Sequence, residues 1–514
     1  MHSRTAEIAV LIFNKSPKTS GIPSPYFYRL YRKLDRLIFK TKADAFESCS
    51  IETILDSSIA KISVQPIQEK YTDTFPEATL EDIQDFDLDI LLRFGFRILK
   101  GPILQVAKLG VWSFHHGDPK AYRGGPPAFW EVMHGQSISS VVLMRINENL
   151  DQGQILYQSF TQTDPVSVQR NANKLFWLSS FFVERTLRKL HQIGRESWEK
   201  DIANQAEVPK GALLRPPKAW EMVSLIFKLI SRTIKRKVRQ LRFQAHWKIG
   251  KHTCTSEKKD LKLSSEEVLN IEHPDPSAFY WADPFPLVVE GKEYVLVEEF
   301  DKNAQKGRIA CLEWIQERLV YKSKMDEPWH LSYPFVWQED GDLLVIPEAA
   351  ESGKVYAYRA LDFPKAWIRD RVIFDGEAYD PTLLKKDGRY WLFINQKAHP
   401  ACSSFDELYL YYSDKLEPYS WVSHPQNPIV SDVRKSRPAG RIFEKDGKLF
   451  RPAQDSGLRY GHRIHIQEIL LINTDNYQER TLRTIEPKTN SQVLGIHTYN
   501  ESPQGIYLDM YFRR

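Results

Sequence analysis

The chain has 514 residues but only four cysteines, Cys49, Cys254, Cys311 and Cys402, and none forms a CxxC pair. That spacing argues against a disulfide framework and a thiolate metal site, and it suits reduced cytosolic thiols. No run approaches the eighteen or so apolar residues of a membrane-spanning helix. IAVLIF from Ile8 is too short for a signal-peptide core with normal flanks. Neither GxxxxGK[ST] nor GxGxxG occurs, so the usual glycine-rich phosphate cradles are missing. Strong net charge is missing too. The formal balance is +5, too small over this length to point to nucleic acid.

What is present is length and aromaticity. A chain of this size is expected to form two or more domains. Aromatic residues make up 12%, with 13 Trp and 23 Tyr, which suits strands, carbohydrate contact or both.

Three regions differ in pattern. In residues 1–205, apolar strands such as AEIAVLIF (Ala6 to Phe13) and VVLMRI (Val141 to Ile146) alternate with helical stretches such as NANKLFWLSSFFVERTLRKL. That alternation predicts an α/β sheet with helices on its faces. Residues 206–262 read as a connector. There Val223, Phe227, Ile230, Ile234, Val238 and Leu241 recur every three or four residues, and no Asp or Glu occurs between Met222 and Ser256. A basic amphipathic helix fits an anionic membrane surface through residues 222–251, or an apolar stripe packed between domains. No specific nucleic acid is expected, since no aromatic stacking platform accompanies the charge. From 263 to 514, short strands flank EG and DG turns at Glu290, Asp340, Asp387 and Asp446, returning roughly every fifty residues. GIHTYNESPQGIYLDM from Gly495 is a fifth copy. Five blades closed into a ring would leave no exposed sheet edge. The expected fold is therefore a Rossmann-like α/β domain followed by an all-β, five-bladed propeller.

Chemistry concentrates in two places. SFHHGDPKAYRGGPPAFWEV, from Ser113, carries His115 beyond a strand, and LDQG, Leu150 to Gly153, carries Asp151. A neutral imidazole can take or relay a proton, and a carboxylate can orient it and hold a nucleophile. A structural role for either residue fits the composition equally well. His116 reads more readily as loop filling than as a second catalytic imidazole. A metal site is not expected, because no third and fourth ligands follow at suitable spacing.

These motifs resemble the folate-dependent formyltransferases, typified by methionyl-tRNA and sugar N-formyltransferases. The order and separation of His115, Arg123–Gly124 and Asp151 agree with that family, and GGPPAFWEVMHGQ extends the match. The resemblance implies N10-formyltetrahydrofolate as co-substrate and a primary amine as acceptor. It makes His115 the general base or proton relay and Asp151 the group that orients the amine. It places Arg93, Phe94, Gly95, Phe96 and Ile98, in RFGFRIL, beside the pterin, with Arg123 and Gly124 ordering the turn and lying near substrate. The family's asparagine is here Ser113, which has one donor instead of two. Losing an oxyanion donor costs roughly 3 kcal/mol, about a hundredfold in rate.

The repeat region resembles the propeller of plant glucosamine inositolphosphorylceramide transferases, and in style five-bladed glycoside hydrolases. WADPFP, AYDPTL and SRPAGR carry that likeness. Asp283 and Asp380 hold the same place in two repeats, and Glu348 ends a strand of the second. A glycosidase needs two carboxyl groups across a sugar. Repeated acids also suit closure of each repeat through backbone hydrogen bonds, and repetition favours that role. The expected function is formyl transfer to an activated or lipid-linked amino sugar, cytoplasmic or peripheral at the inner membrane surface, with the propeller binding glycan. The rivals are a glycan-binding scaffold with a non-catalytic formyltransferase-like domain, and a propeller glycosidase or glycosyltransferase-associated protein.

Overall fold

The computed structural model describes residues 6–16, 24–204, 213–242, 245–252, 261–264, 267–489 and 491–513. Cys254 lies outside them; among the described residues Cys49, Cys311 and Cys402 form no disulfide. The chain divides into two compact units, residues 1–235 with 398–403, and residues 236–397 with 404–514.

In the first unit β1 (Val10–Asn14) pairs in parallel with β2 (Ala60–Val64). A mixed sheet follows, in the order β6 (Gln154–Gln162), β5 (Ile138–Arg145), β4 (Val111–His115), β3 (Leu91–Arg93). Side chains alternate across a strand, and β4 shows why successive residues of a strand can both be apolar. Trp112 packs with Leu175 and Leu178 of α2 (Val168–Ser179). Its neighbour Val111 belongs to a separate cluster with Val64, Ile83 and Ile103. Both sheet faces are therefore covered, as the sequence pattern requires. Ser167 caps α2 by accepting from the Arg170 N–H at 3.1 Å.

The stretch 206–262 is shared between the units. Its helix, α4 (Ala219–Arg242), packs through Met222, Leu225 and Leu229 against Phe129, Val132 and Met133. Among the helices before it are α1 (Tyr26–Ile38) and α3 (Phe182–Ile193). The stripe singled out in the sequence does not make this contact: Val223, Phe227, Ile230, Ile234 and Val238 are all exposed. The side chain of Leu241 lies outside those described. A second stripe, offset by one residue, makes the core contact, so the helix is apolar on two faces. Among the described residues no helix is long and apolar enough to cross a membrane.

The second unit is largely β, with five sheets among the described residues. Three are successive, beginning at Phe279, Ser332 and Tyr379. The fourth joins Leu261–Leu263 to the strands from Phe443 to Pro487. The fifth pairs Ala245–His252 with Gly505–Arg513 antiparallel, tying the unit's first strand to its last. The turns follow the sequence. Both central residues have positive φ at Glu290–Gly291, Asp340–Gly341, Asp387–Gly388 and Asp446–Gly447, as type I′ two-residue loops demand.

Gly388 tests that turn chemistry. Its φ is +76° and an added Cβ would meet nothing within 4 Å, so a side chain costs conformation rather than packing. Gly388→Val should destabilise the protein by about 1–3 kcal/mol, read by urea denaturation.

Candidate functional site

Residue 93 stands opposite residue 113 in the parallel pairing of β3 with β4. This register brings the two side chains together. Arg93 Nε donates to Ser113 Oγ at 3.0 Å, and Nη1 donates to the Arg97 carbonyl at 2.8 Å. Nη2 makes no hydrogen bond among the described residues. Ser113 is thus an acceptor for Arg93, and its own O–H proton is left to point elsewhere. Burial lowers the Arg93 pKa from the ordinary arginine value, against the opposing charges of Asp151 and Asp73. The loop beyond is fixed by Arg97, which donates to both oxygens of the buried Asp73 at 2.9 and 2.8 Å. Sequence reading passed over Arg97. A basic residue two after a glycine carries no signal until its acid partner, 24 positions away, is placed.

His115 ends β4. Its Nε2 lies 2.7 Å from the Tyr122 carbonyl. A carbonyl only accepts, so Nε2 carries a proton. Nδ1 is then the atom free to take up a second proton, and it faces Asp151 Oδ1 at 3.4 Å. Asp151 sits at φ +53° in the loop after β5. Gly124 N–H donates to Asp151 Oδ2 at 2.7 Å, and Arg123 Nη2 donates to the Leu150 carbonyl at 2.7 Å. Arg123 and Gly124 therefore grip the first two residues of the LDQG loop. Gly124 has φ +81°, and any Cβ there would collide with the Leu214 carbonyl.

A cavity of about 30 Å³ is lined by Arg93, Ile98, Ser113, Phe114 and Asp151 among others. This is about the space of one water. The structure thus brings together Arg93, Ile98, Ser113 and Asp151, with His115 beside Asp151 but not in the cavity wall. Gly95 turns the loop at φ +26°. Phe94 is exposed, whereas Phe96 packs on Phe75 with ring centres 5.2 Å apart. His116 stacks on Phe176 at 3.7 Å, and burial pushes its pKa down to about 3. It is a neutral packing group.

Glu131 is a buried carboxyl that the sequence did not single out. Burial raises its pKa to about 7, from 4.5. The neutral acid is then the form the fold prefers. Its contribution is complete below 4.5 and disappears as pH rises through 7. Glu131→Gln stays neutral throughout, so thermal melts should show wild type losing stability relative to the variant between pH 4.5 and about 7.

The acids of the second unit are held differently. Asp283, Tyr333 and Asp380 each precede proline, sit at φ of +49°, +45° and +48°, and lie at a bulge in the first strand of their sheet. Their backbone N–H groups leave the ladder there and need other partners. Asp509 Oδ2 accepts from Asp283 N–H at 3.0 Å. Asp283 Oδ2 accepts from Tyr333 N–H at 3.1 Å. Glu348 Oε2 accepts from Asp380 N–H at 3.1 Å. Each carboxylate caps a strand start in an adjoining sheet. Arg437 joins Asp380 through Nε and Glu348 through Nη2 at 3.0 Å. It too stands before a proline, in the fourth sheet's lead-in. The residue-before-proline pattern was the available signal for Tyr333 and Arg437.

Asp283, His497 and Asp509 place one ligand atom each within 4.8 Å of the others. Those carboxylates already accept from Thr498 Oγ1 and from the N–H groups of Asp283, Tyr333, His497 and Thr498. His497 lies 3.6 Å from Asp283 Oδ1 and also against Asp509. Burial opposes its charge, but Asp509 and Asp283 outweigh burial and raise its pKa. Burial likewise raises Asp283 to about 6 and Glu348 well above the ordinary range. Trp281, beside these acids, is buried with Val295 and Val297. Removing Arg437 strands Asp380 and Glu348. Arg437→Met should destabilise the protein by about 3–5 kcal/mol, measured by denaturant unfolding.

Residues 266–500 match the family model of the N-terminal region of glucosamine inositolphosphorylceramide transferase 1. The Arabidopsis thaliana protein of that name is 33% identical over 209 residues, 40% of this chain and 27% of that protein. The chain thus spans about a quarter of the plant relatives' length. A methionyl-tRNA formyltransferase of Chlorobium chlorochromatii is 26% identical over 220 residues, 42% of this chain and 64% of that protein. A family 117 glycoside hydrolase of Zobellia galactanivorans aligns over 52% of this chain and 90% of its own, at 13% identity and a TM-score of 0.33. The N-terminal region resembles the formyltransferase superfamily, and the C-terminal region matches the plant transferase family model.

Proposed function

We propose that the first unit transfers a formyl group from N10-formyltetrahydrofolate to the primary amine of an activated or lipid-linked amino sugar. The second unit, with its five sheets as the blades of a propeller, would bind the glycan portion. The observation that carries the reading is one cavity walled by Asp151 and the Arg93–Ser113 pair, with His115 behind Asp151 at 3.4 Å. Asp151, in the cavity wall, accepts an N–H of the incoming amine and orients its lone pair. His115 Nδ1 receives the amine proton through Asp151 as the new N–C bond forms. The proton passes on to the folate nitrogen as its bond to the formyl carbon breaks. The formyl oxygen gains negative charge meanwhile and needs a donor.

Ser113 alone is a weaker donor than an asparagine amide, but it does not act alone. Arg93 leans on it and keeps Nη2 unused, so guanidinium and hydroxyl together would take the asparagine's place. An amino sugar is favoured as acceptor because the plant relatives are named for glucosamine. The 30 Å³ cavity must widen to admit the pterin, and the exposed Phe94 is the side chain able to move.

Tetrahydrofolate release with an amino-sugar acceptor tests the assignment. Arg93→Ala should lower kcat about a hundredfold, and Ser113→Asn in that background should restore part of it. Asp151→Asn and His115→Asn should each cost at least about a hundredfold. Wild-type rates in the Arg93→Ala or Asp151→Asn protein would refute the mechanism.

A further inference from the structure

Two helices of the first unit carry more apolar surface than their core contacts use. α1 buries Asp35 and packs Tyr28 and Tyr31 against Phe129. On its open side Phe27, Leu30, Leu34, Leu37 and Ile38 are exposed, the last two by 57% and 69%. At 100° per residue these five fall within one arc of roughly 100°. Arg29, Lys33 and Arg36 occupy the adjoining arc, and Lys40 follows just beyond the helix end. α4 repeats the arrangement. Met222, Leu225 and Leu229 face the same Phe129 cluster. Trp220, Val223, Phe227, Ile230 and Ile234 form a second, exposed arc, with Phe227 at 74%. Lys228 and Lys235 flank it. Ten large apolar side chains left in water on two helices over one cluster exceed the scatter expected of an ordinary surface.

The exposed charge carried by the two helices is mostly of one sign, although Asp44, beyond the end of α1, pairs with Arg36 at 3.1 Å. The only acid in α1 is the buried Asp35. The only acid in α4 is Glu221, in the first turn, which accepts from the Lys218 N–H at 2.7 Å. A groove of about 350 Å³ opens at the end of α1, lined by Lys33, Arg36, Leu37, Phe39 and Lys40 with Thr41, Asp44 and Gln169. Cationic and apolar side chains thus meet where a phosphate group and the start of an acyl chain would lie.

We infer that α1 and α4 form a docking face for an anionic lipid surface, their apolar arcs entering the headgroup boundary and their lysines and arginines pairing with lipid phosphates. A helix apolar on one arc and cationic beside it lies in the membrane interface in this way. A second copy of the chain is a poorer occupant, because a two-fold contact would set these positive charges against each other. The inference does not depend on formyl transfer and is tested without it.

The test is flotation of the full-length protein with phosphatidylcholine vesicles and with vesicles of phosphatidylcholine and phosphatidylglycerol. The expected result is binding to the anionic vesicles only, weakened by salt. Phe227→Glu with Ile230→Glu, and Leu34→Glu with Ile38→Glu, should each abolish it. Lys33→Gln, Arg36→Gln and Lys40→Gln together should weaken it about a hundredfold, at about fivefold per charge. These positions are exposed, and circular dichroism with a thermal melt verifies that each variant folds. Brominated lipid should quench Trp220, a signal lost in Trp220→Phe. Absence of binding to anionic vesicles overturns the inference, as does unchanged binding by the glutamate variants. A dimer in solution that Phe227→Glu dissolves, without vesicle binding, also overturns it.

Discussion

The hydrogen bond from the Gly124 N–H to Asp151 Oδ2 is the constraint on which the first unit's chemistry depends. It fixes one carboxylate oxygen, so the other is turned to His115. Around it, Arg123 holds the preceding carbonyl, and Gly153 lies so close to the Arg145 carbonyl that no Cβ fits. Asp151 is therefore placed by backbone, at a φ most residues avoid. A carboxylate on so short a loop would otherwise sample many orientations. Fixing it removes the reorganisation that would accompany charge transfer.

Carboxylates also organise the second unit, but with their hydrogen bonds directed to backbone. Each bulge before a proline releases one N–H, and an acid of an adjoining sheet accepts it. The same acids that invite a glycosidase reading are thereby engaged in holding sheets to one another. Arg437 places a guanidinium between Glu348 and Asp380, which neutralises what would be a costly buried pair. The two units use one chemical device, a carboxylate accepting from a main-chain N–H, for different ends. In the first the remaining oxygen faces a cavity and a histidine. In the second the oxygens are consumed by the fold.

Much of the fold was legible in local pattern. The EG and DG turns specify positive φ at two successive residues, and the hairpins follow from that. The buried strands of the first unit were legible from unbroken apolar runs. The amphipathic reading of α4 found a real stripe but left its neighbour open between a membrane surface and a domain interface, because a helix with two apolar faces does not state in sequence which is covered. His115 and Asp151 were singled out through the family resemblance, and the structure brings them within 3.4 Å of each other. The Arg93–Ser113 contact was not, since it depends on parallel register between strands twenty residues apart. Asp509 and Arg437 were hidden for the same reason. Their partners lie 226 and 57 positions away.

The central claim is that the formyl carbon moves to an amine. The most direct test is a single-turnover reaction with N10-formyltetrahydrofolate carrying ¹³C in the formyl group, offered with a panel of nucleotide-linked and lipid-linked amino sugars and followed by mass spectrometry. The account predicts the label in a sugar formamide, with an equal amount of tetrahydrofolate, and neither product from His115→Ala. Label recovered only as formate, or no release of tetrahydrofolate with any acceptor, would contradict it.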